Sequence, residues 1–178
     1  PGKERGTEAL TWLRDRRFRR VLLTLLTVAY VGFIYGNSLP NGADSSERSG
    51  RVVELLQWLL SSLGWTGEVS EHFIRKLAHF AEYAGLGVLL GITLRTYTPR
   101  LFPHLFVPLF AGLAVPVSDE FLQLFVEGRA GMVQDVVLDF AGMLAGLSLT
   151  VLLLALAGRI RRRGRKRAVS PDEGKGTR

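Results

Sequence analysis

Residues 21–36 read VLLTLLTVAYVGFIYG, a run without any charge that follows the basic stretch RDRRFRR. With Phe18 and the long side chains of Arg19 and Arg20, the run approaches the ~20 residues that cross a bilayer as a helix. Surface helices of soluble proteins carry a polar stripe, and this run has no charged residue on any face. We therefore predict a transmembrane helix over 18–36. A cleaved signal peptide is the competing interpretation, but the run is long for one and no Ala-x-Ala site follows it.

Three further apolar runs of similar length follow, and they predict transmembrane helices over 77–97, 101–126 and 132–157. The last run is free of charge from Phe140 to Gly158. Four such runs in 178 residues are hard to reconcile with a soluble bundle. The sequence therefore predicts an all-α polytopic membrane protein with four transmembrane helices, whose membrane domain covers residues 21–157.

The segment 37–75 lies between the first two predicted spans. Its first ten residues are rich in turn formers, and we expect them to be irregular. Apolar residues then recur at helical spacing from Val52 to Leu63, and Gly64 ends the run. This stretch is too short to span, so it predicts an amphipathic helix on the outer membrane surface, with Trp58 and Trp65 at the level of the headgroups.

The net charge of +7 is located at the two ends of the chain. Residues 1–20 and 158–178 together carry a net +11, whereas residues 21–157 carry a net −4. Basic segments mark the cytoplasmic side, so we predict that both termini are cytoplasmic, with 1–20 as a basic tail and 158–178 as a basic, largely disordered one. Both tails would then contact anionic lipid, and no nucleic acid is expected as a partner. The chain contains no cysteine, which excludes disulfides, thiolate metal sites and cysteine nucleophiles.

Ionisable side chains within the predicted spans are concentrated in the outer half of the membrane. Such groups are costly in lipid unless they are paired or hydrated, which makes them functional candidates. Five carboxylates are found here, those of Glu82, Asp119, Glu120, Asp135 and Asp139. They outnumber the two permanent cations, Lys76 and Arg129, and the single histidine, His79. A cation, a proton or a cationic ligand group is therefore a candidate partner. The predicted ligand-binding residues are Lys76, His79, Tyr83, Asp119, Glu120, Gln123, Arg129, Asp135 and Asp139.

Two helix faces that carry these residues end in Gly-x-x-x-Gly, a pattern that permits close helix contact in lipid. The predicted packing residues are Gly87 and Gly91 in the second span, and Gly142 and Gly146 in the fourth. We expect these helices to touch at the glycines and to leave a polar pocket above them.

The polar residues and their neighbours resemble the VanZ-like family of small bacterial membrane proteins. The matching segments are KLAHFAEYAGL (76–86), SDEFLQ (118–123), Arg129, DVVLDFAGMLAG (135–146) and a serine-bearing outer loop over 38–49. The sequence departs from the family at Asp139, where asparagine is common, and in its long basic C-terminal tail. The resemblance implies a bacterial cell membrane location and, in at least some members, reduced susceptibility to lipoglycopeptide antibiotics such as teicoplanin. It supplies no catalytic mechanism.

Three functions fit these residues. The first is binding or sensing of an envelope lipid headgroup, a lipid precursor or a lipoglycopeptide, because Lys76, His79 and Arg129 suit phosphate or carboxylate groups. The second is an enzyme for phosphoester or acyl transfer on such a lipid, and its catalytic candidates are His79, Asp119, Glu120 and Asp139. The third is a proton-coupled carrier, although the inner half lacks matching ionisable residues.

The sequence predicts no metal ligands and leaves the question of a cofactor open. A carboxylate cluster suits Mg²⁺, but zinc is not indicated because there is no His-Glu-x-x-His run and no third histidine nearby. Membrane lipids are the expected surroundings, and the oligomeric state is left open.

Overall fold

The computed structural model describes residues 15–39, 42–64 and 66–168, and these form five α-helices and no strand. The helices are α1 (Arg16–Ser38), α2 (Gly42–Ser62), α3 (Glu71–Tyr97), α4 (Phe106–Gln123) and α5 (Val133–Ala168), with a short 3-10 turn at Phe102–His104 before α4. The predictions for residues 1–14, for Trp65 and for residues 169–178 lie outside the described residues.

Four segments are long and apolar enough to cross a membrane: Arg16–Ser38, Glu71–Tyr97, Phe102–Gln123 and Val133–Arg161. Many of their large apolar side chains face outwards, as lipid contact requires; Phe110, for example, is 75% exposed. The prediction of an all-α membrane protein with four spanning helices and one additional helix is confirmed.

α1 packs antiparallel to α3, and polar contacts hold the pair near one end of the bundle. The Nε of Arg20 donates to the carbonyl oxygen of Thr96 at 2.9 Å. One turn along α1, the hydroxyls of Thr24 and Tyr97 are 2.9 Å apart. These contacts join the start of α1 to the end of α3, so the end of α1 lies beside the start of α3.

The glycines of α3 and α5 lie where these two helices make their closest contact. At three of these glycines an added Cβ atom would overlap with the backbone of the other helix. The overlapping residues are Gly87 and Met143, Gly142 and Phe80, and Gly146 and Ala84. A Cβ on Gly91 would lie 2.9 Å from Cγ2 of Thr150. Small residues are therefore required along this seam.

Several helix boundaries differ from the predicted ones. α3 begins at Glu71 and not at 77. α2 begins at Gly42, so the stretch expected to be irregular is largely helical. Once a helix has nucleated, adding residues costs little, and no proline interrupts residues 42–62. α5 continues to Ala168 instead of ending near 157, because arginine and lysine are good helix formers and suit a helix C-terminus.

Another difference is at the end of α4, which stops at Gln123 and not at 126. The chain then turns through Gly128, whose φ of 73° is a left-handed conformation that glycine adopts readily. This turn directs Arg129 back towards the bundle, where it reaches the cavity described below.

Candidate functional site

A polar cavity lies at the end of the bundle where α3 and α5 begin and α4 ends. Its volume is about 50 Å³. It is lined by His72, Arg75, Lys76, His79, Glu120, Gln123, Arg129, Met132, Asp135, Leu138 and Asp139. Seven of the nine predicted ligand-binding residues are in this lining. The other two, Tyr83 and Asp119, are buried directly behind it.

The outer part of the cavity contains paired charges. The Nζ of Lys76 lies 2.9 Å from Oδ1 of Asp135, and each side chain of this ion pair is a little more than a quarter exposed. Glu120 is buried and its Oε2 accepts the backbone N–H of Met132 at 2.8 Å. Two of the cavity's carboxylates are thus engaged by groups of the protein itself, although Oδ1 of Asp135 has an ion pair and no hydrogen bond among the described residues.

Arg129 lies in the link between α4 and α5 and is half-buried. Its Nε is buried and has no hydrogen-bond partner among the residues that the structure describes. Burial lowers the pKa of this guanidinium, and the charge of Arg75 lowers it further, against the opposing effect of nearby carboxylates. The Arg129 charge is therefore incompletely compensated by the protein.

Asp119 occupies the deep side of the site and is 1% exposed. The Ser38 hydroxyl donates to its Oδ2 at 2.7 Å, and the Tyr83 hydroxyl donates to the same oxygen at 3.2 Å. Its Oδ1 is buried without a partner in the described part of the chain. Three helices, α1, α3 and α4, thus orient one carboxylate and leave one of its oxygens available.

His79 and Asp139 lie one helical turn further into the bundle than Lys76 and Asp135. Asp139 is 1% exposed, and both of its carboxylate oxygens are buried without a hydrogen-bond partner in the ranges described. The Nδ1 of His79 is likewise buried and has no hydrogen-bond partner among the described residues. One ligand atom each from His79, Asp119 and Asp139 lies within 4.8 Å of the others.

This cluster has the composition of a metal-binding site, which the sequence analysis did not predict. Its members come from α3, α4 and α5, and residue spacing within one helix gives no information about atoms that meet between three helices. The predicted catalytic candidates His79, Asp119 and Asp139 are brought together here, whereas Glu120 is engaged with the backbone of Met132.

Several residues of the site were missed or misplaced by the sequence analysis. Ser38 was expected in a loop but is the last residue of α1 and is fully buried. Glu82 does not line the cavity, because its carboxylate accepts from the Asn37 amide at 2.8 Å. The lining residues His72 and Arg75 were also missed, although their spacing from Lys76 and His79 on α3 was a usable signal.

A sequence model of the VanZ/LLP1 family matches residues 21–154. The chain belongs to the VanZ/LLP1 family. The resemblance to the VanZ-like family is thereby confirmed as membership, and the protein is a membrane-embedded, multi-pass member. The match includes every residue that lines the cavity. No match was found among curated proteins or among solved structures.

The cavity of this VanZ/LLP1 protein has two layers of different chemistry. The outer layer presents Arg75, Lys76 and Arg129, which suit an anionic group. The inner layer presents a histidine and carboxylates with free ligand atoms, which suit a cation or proton transfer.

Proposed function

We propose that the cavity binds the anionic headgroup of a cell-envelope lipid at the outer face of the membrane. The observation that carries this proposal is Arg129, a half-buried guanidinium whose Nε has no partner among the described residues. A phosphate oxygen would supply the missing acceptor, and arginine can bind phosphate through two parallel hydrogen bonds. Arg75, which lines the same cavity, would add to the attraction.

The size of the cavity supports a headgroup over a whole antibiotic. A volume of about 50 Å³ holds a few water molecules or one small polar group. Sites that enclose drug-sized ligands have volumes of roughly 300–1,000 Å³. A lipoglycopeptide would therefore place at most one polar group in the cavity, whereas a lipid phosphate would fit there with its chains in the bilayer.

The outward orientation of the cavity rests on the distribution of basic residues. The N-terminal segment, the link between α3 and α4 and the end of α5 are basic and belong at the cytoplasmic side. The cavity is at the opposite end of the bundle, where envelope precursors and glycopeptides are encountered. A contribution to teicoplanin-type resistance, as the resemblance to VanZ implies, would follow from occupying or sequestering such a lipid.

The test uses the purified full-length chain in nanodiscs of zwitterionic lipid, titrated with geranyl phosphate and, separately, with uncharged geraniol. We expect binding of geranyl phosphate only. Arg129→Gln should weaken it by about tenfold to a hundredfold, because a hydrogen bond to a charged group contributes about 1.5–3 kcal/mol.

Arg100→Gln is the matched control, since Arg100 is exposed at the other end of the bundle. Equal binding of geraniol, or equal effects of the two arginine variants, would contradict the proposal. A third titration with teicoplanin separates direct recognition of the antibiotic from recognition of lipid phosphate.

An enzyme acting on the same lipid is the second candidate, and the unpartnered Nδ1 of His79 favours it. A half-buried imidazole beside a phosphate site is placed for general acid or base catalysis. Radiolabelled envelope lipids would report turnover. If His79→Gln retains affinity for geranyl phosphate but abolishes turnover, the enzyme is the better description; absence of turnover in the wild-type protein would exclude it for those lipids.

A further inference from the structure

We propose that His79, Asp119 and Asp139 bind one divalent ion of the Zn²⁺ or Mn²⁺ type at the inner end of the cavity. The three residues project from α3, α4 and α5, and a ligand atom of each lies within 4.8 Å of the others. This proposal does not depend on which molecule occupies the outer part of the cavity.

Burial of uncompensated carboxylates is the first argument. Asp119 and Asp139 are each 1% exposed. Placing ionised carboxylates in a poorly solvated interior is costly unless a cation or hydrogen bonds compensate them. Lys76, the lysine of α3, is already paired with Asp135. Neither buried aspartate has an ion pair with a cation of the protein in the described ranges, so a positive charge from solution would compensate them.

The free ligand atoms are the second argument. Oδ1 of Asp119, both carboxylate oxygens of Asp139 and Nδ1 of His79 are buried and have no hydrogen-bond partner in the part of the chain that the structure describes. Buried polar atoms in native proteins are almost always satisfied. Each of the three residues has such an unpartnered atom, and one ligand atom of each lies within 4.8 Å of the others, which distinguishes this cluster from an ordinary acidic patch.

The distances fit an ion after small side-chain movements. For any three atoms that are at most 4.8 Å apart there is a point no more than about 2.8 Å from each of them, whereas metal–ligand distances in proteins are about 2.0–2.3 Å. Side-chain rotations that shift the ligand atoms by a fraction of an ångström would close this difference without movement of the helices.

Hydrogen bonds to the Asp119 carboxylate also support the proposed ion site. Ser38 and Tyr83 both donate to Oδ2 of Asp119, which leaves Oδ1 without a partner among the described residues. Donors of this kind orient metal-binding carboxylates and are as important for affinity as the ligands are. The Ser38 and Tyr83 hydroxyls are therefore positioning groups for the ion.

The donor set selects the class of ion. One imidazole with two carboxylates suits Zn²⁺ or Mn²⁺, whereas Mg²⁺ prefers an all-oxygen octahedral shell. Two carboxylates would neutralise the charge of the ion. Three protein ligands leave coordination positions open, and because His79 and Asp139 line the cavity, an oxygen of a bound anion could reach the ion there.

The principal alternative is that protons, not a metal ion, neutralise the two aspartates. The first experiment distinguishes these by metal content. The full-length chain in detergent is stripped with EDTA, dialysed against Zn²⁺ or Mn²⁺, and assayed by mass spectrometry and calorimetry. We expect one ion per chain and a loss of affinity of at least about tenfold in Asp139→Asn.

Asp135→Asn is the matched control, because Asp135 is an aspartate of the same helix and cavity but lies outside the cluster. It should retain the ion. Equal metal content in wild type, Asp139→Asn and Asp135→Asn would overturn the proposal, and so would the absence of bound ion from the wild type.

A second measurement remains decisive if Asp139→Asn does not fold. The electron paramagnetic resonance spectrum of bound Mn²⁺ should show a coupling to imidazole nitrogen. His79→Gln should remove that coupling and His72→Gln, which changes an exposed histidine of the same cavity, should preserve it. A spectrum without nitrogen coupling in the wild type, or with coupling that persists in His79→Gln, would overturn the proposed site.

Discussion

Replacement of Gly146 by alanine should force α3 and α5 apart and destabilise the bundle. The added Cβ would overlap with the carbonyl oxygen of Ala84 and lie 2.7 Å from its carbonyl carbon. Carbon atoms in contact are about 3.5 Å or more apart, so the helices must separate by at least roughly 0.8 Å at this point, and by more to clear the carbonyl oxygen. Both contacting groups are backbone, which cannot move aside by a change of rotamer.

Gly158→Ala provides the control for this variant. Gly158 lies on the same helix, and a Cβ there would meet nothing within 4 Å. Both substitutions gain the same helix propensity of about 1 kcal/mol, so the difference between their free energies of unfolding measures the steric cost. Overpacking of a rigid interface costs about 1–3 kcal/mol, and we expect this difference to lie towards the upper end of that range.

The assay is unfolding of the purified chain in detergent by added SDS, followed by circular dichroism. Gly146→Ala should unfold at lower SDS than the wild type, whereas Gly158→Ala should unfold at the same or higher SDS. Equal stability of the two alanine variants would refute the close approach of α3 and α5 at the glycines. It would also weaken the account of the cavity, whose lining those helices position.

Three further predictions concern the cavity and its orientation. Ser38→Ala should lower the free energy of unfolding by about 1.5–3 kcal/mol, because it removes a donor to the buried Asp119 carboxylate. The surface variant Ser62→Ala should change the free energy of unfolding by less than about 0.5 kcal/mol. Equal losses in the two variants would argue against the hydrogen bond between Ser38 and Asp119. A double-mutant cycle on Lys76 and Asp135, measured by SDS unfolding, should give a coupling of about 1 kcal/mol. A value near zero would contradict a stabilising role of this ion pair. In the cysteine-free chain, Ser45→Cys should react with an impermeant maleimide applied to intact cells and Arg165→Cys should not; the reverse pattern would place the cavity on the cytoplasmic side.

The membrane helices were predictable from sequence because a bilayer demands long, continuous apolar segments. Their ends were less predictable. The apolar pattern of α5 stops near 157, yet the helix continues through residues that the membrane does not constrain. Helix propagation in water depends on the local propensity of residues such as Arg159 and Arg161, which a search for apolar runs does not measure.

The site was partly predictable because several of its residues follow the helical repeat. Lys76, His79 and Tyr83 follow helical spacing, so their common face on α3 could be identified from sequence alone. The contact of Ser38 with Asp119, in contrast, joins residues 81 positions apart in the chain. Such a contact depends on how α1 and α4 pack, and no periodicity within either helix encodes it.

The ion and the anionic headgroup should bind cooperatively if both proposals hold. The outer arginines and the inner ion would then act on one phosphate from two sides, with Arg129 near the mouth and the ion beside His79 and Asp139. Addition of Zn²⁺ to EDTA-treated protein should strengthen binding of geranyl phosphate, by about 5-fold to 150-fold for a typical coupling of 1–3 kcal/mol. Linkage requires that geranyl phosphate strengthen binding of Zn²⁺ by the same factor. Titrations in both orders test this equality, and Asp139→Asn should abolish the effect in both. If Zn²⁺ and geranyl phosphate each bind but do not affect one another, the two layers serve separate ligands, and a metal-assisted reaction on the lipid phosphate is excluded.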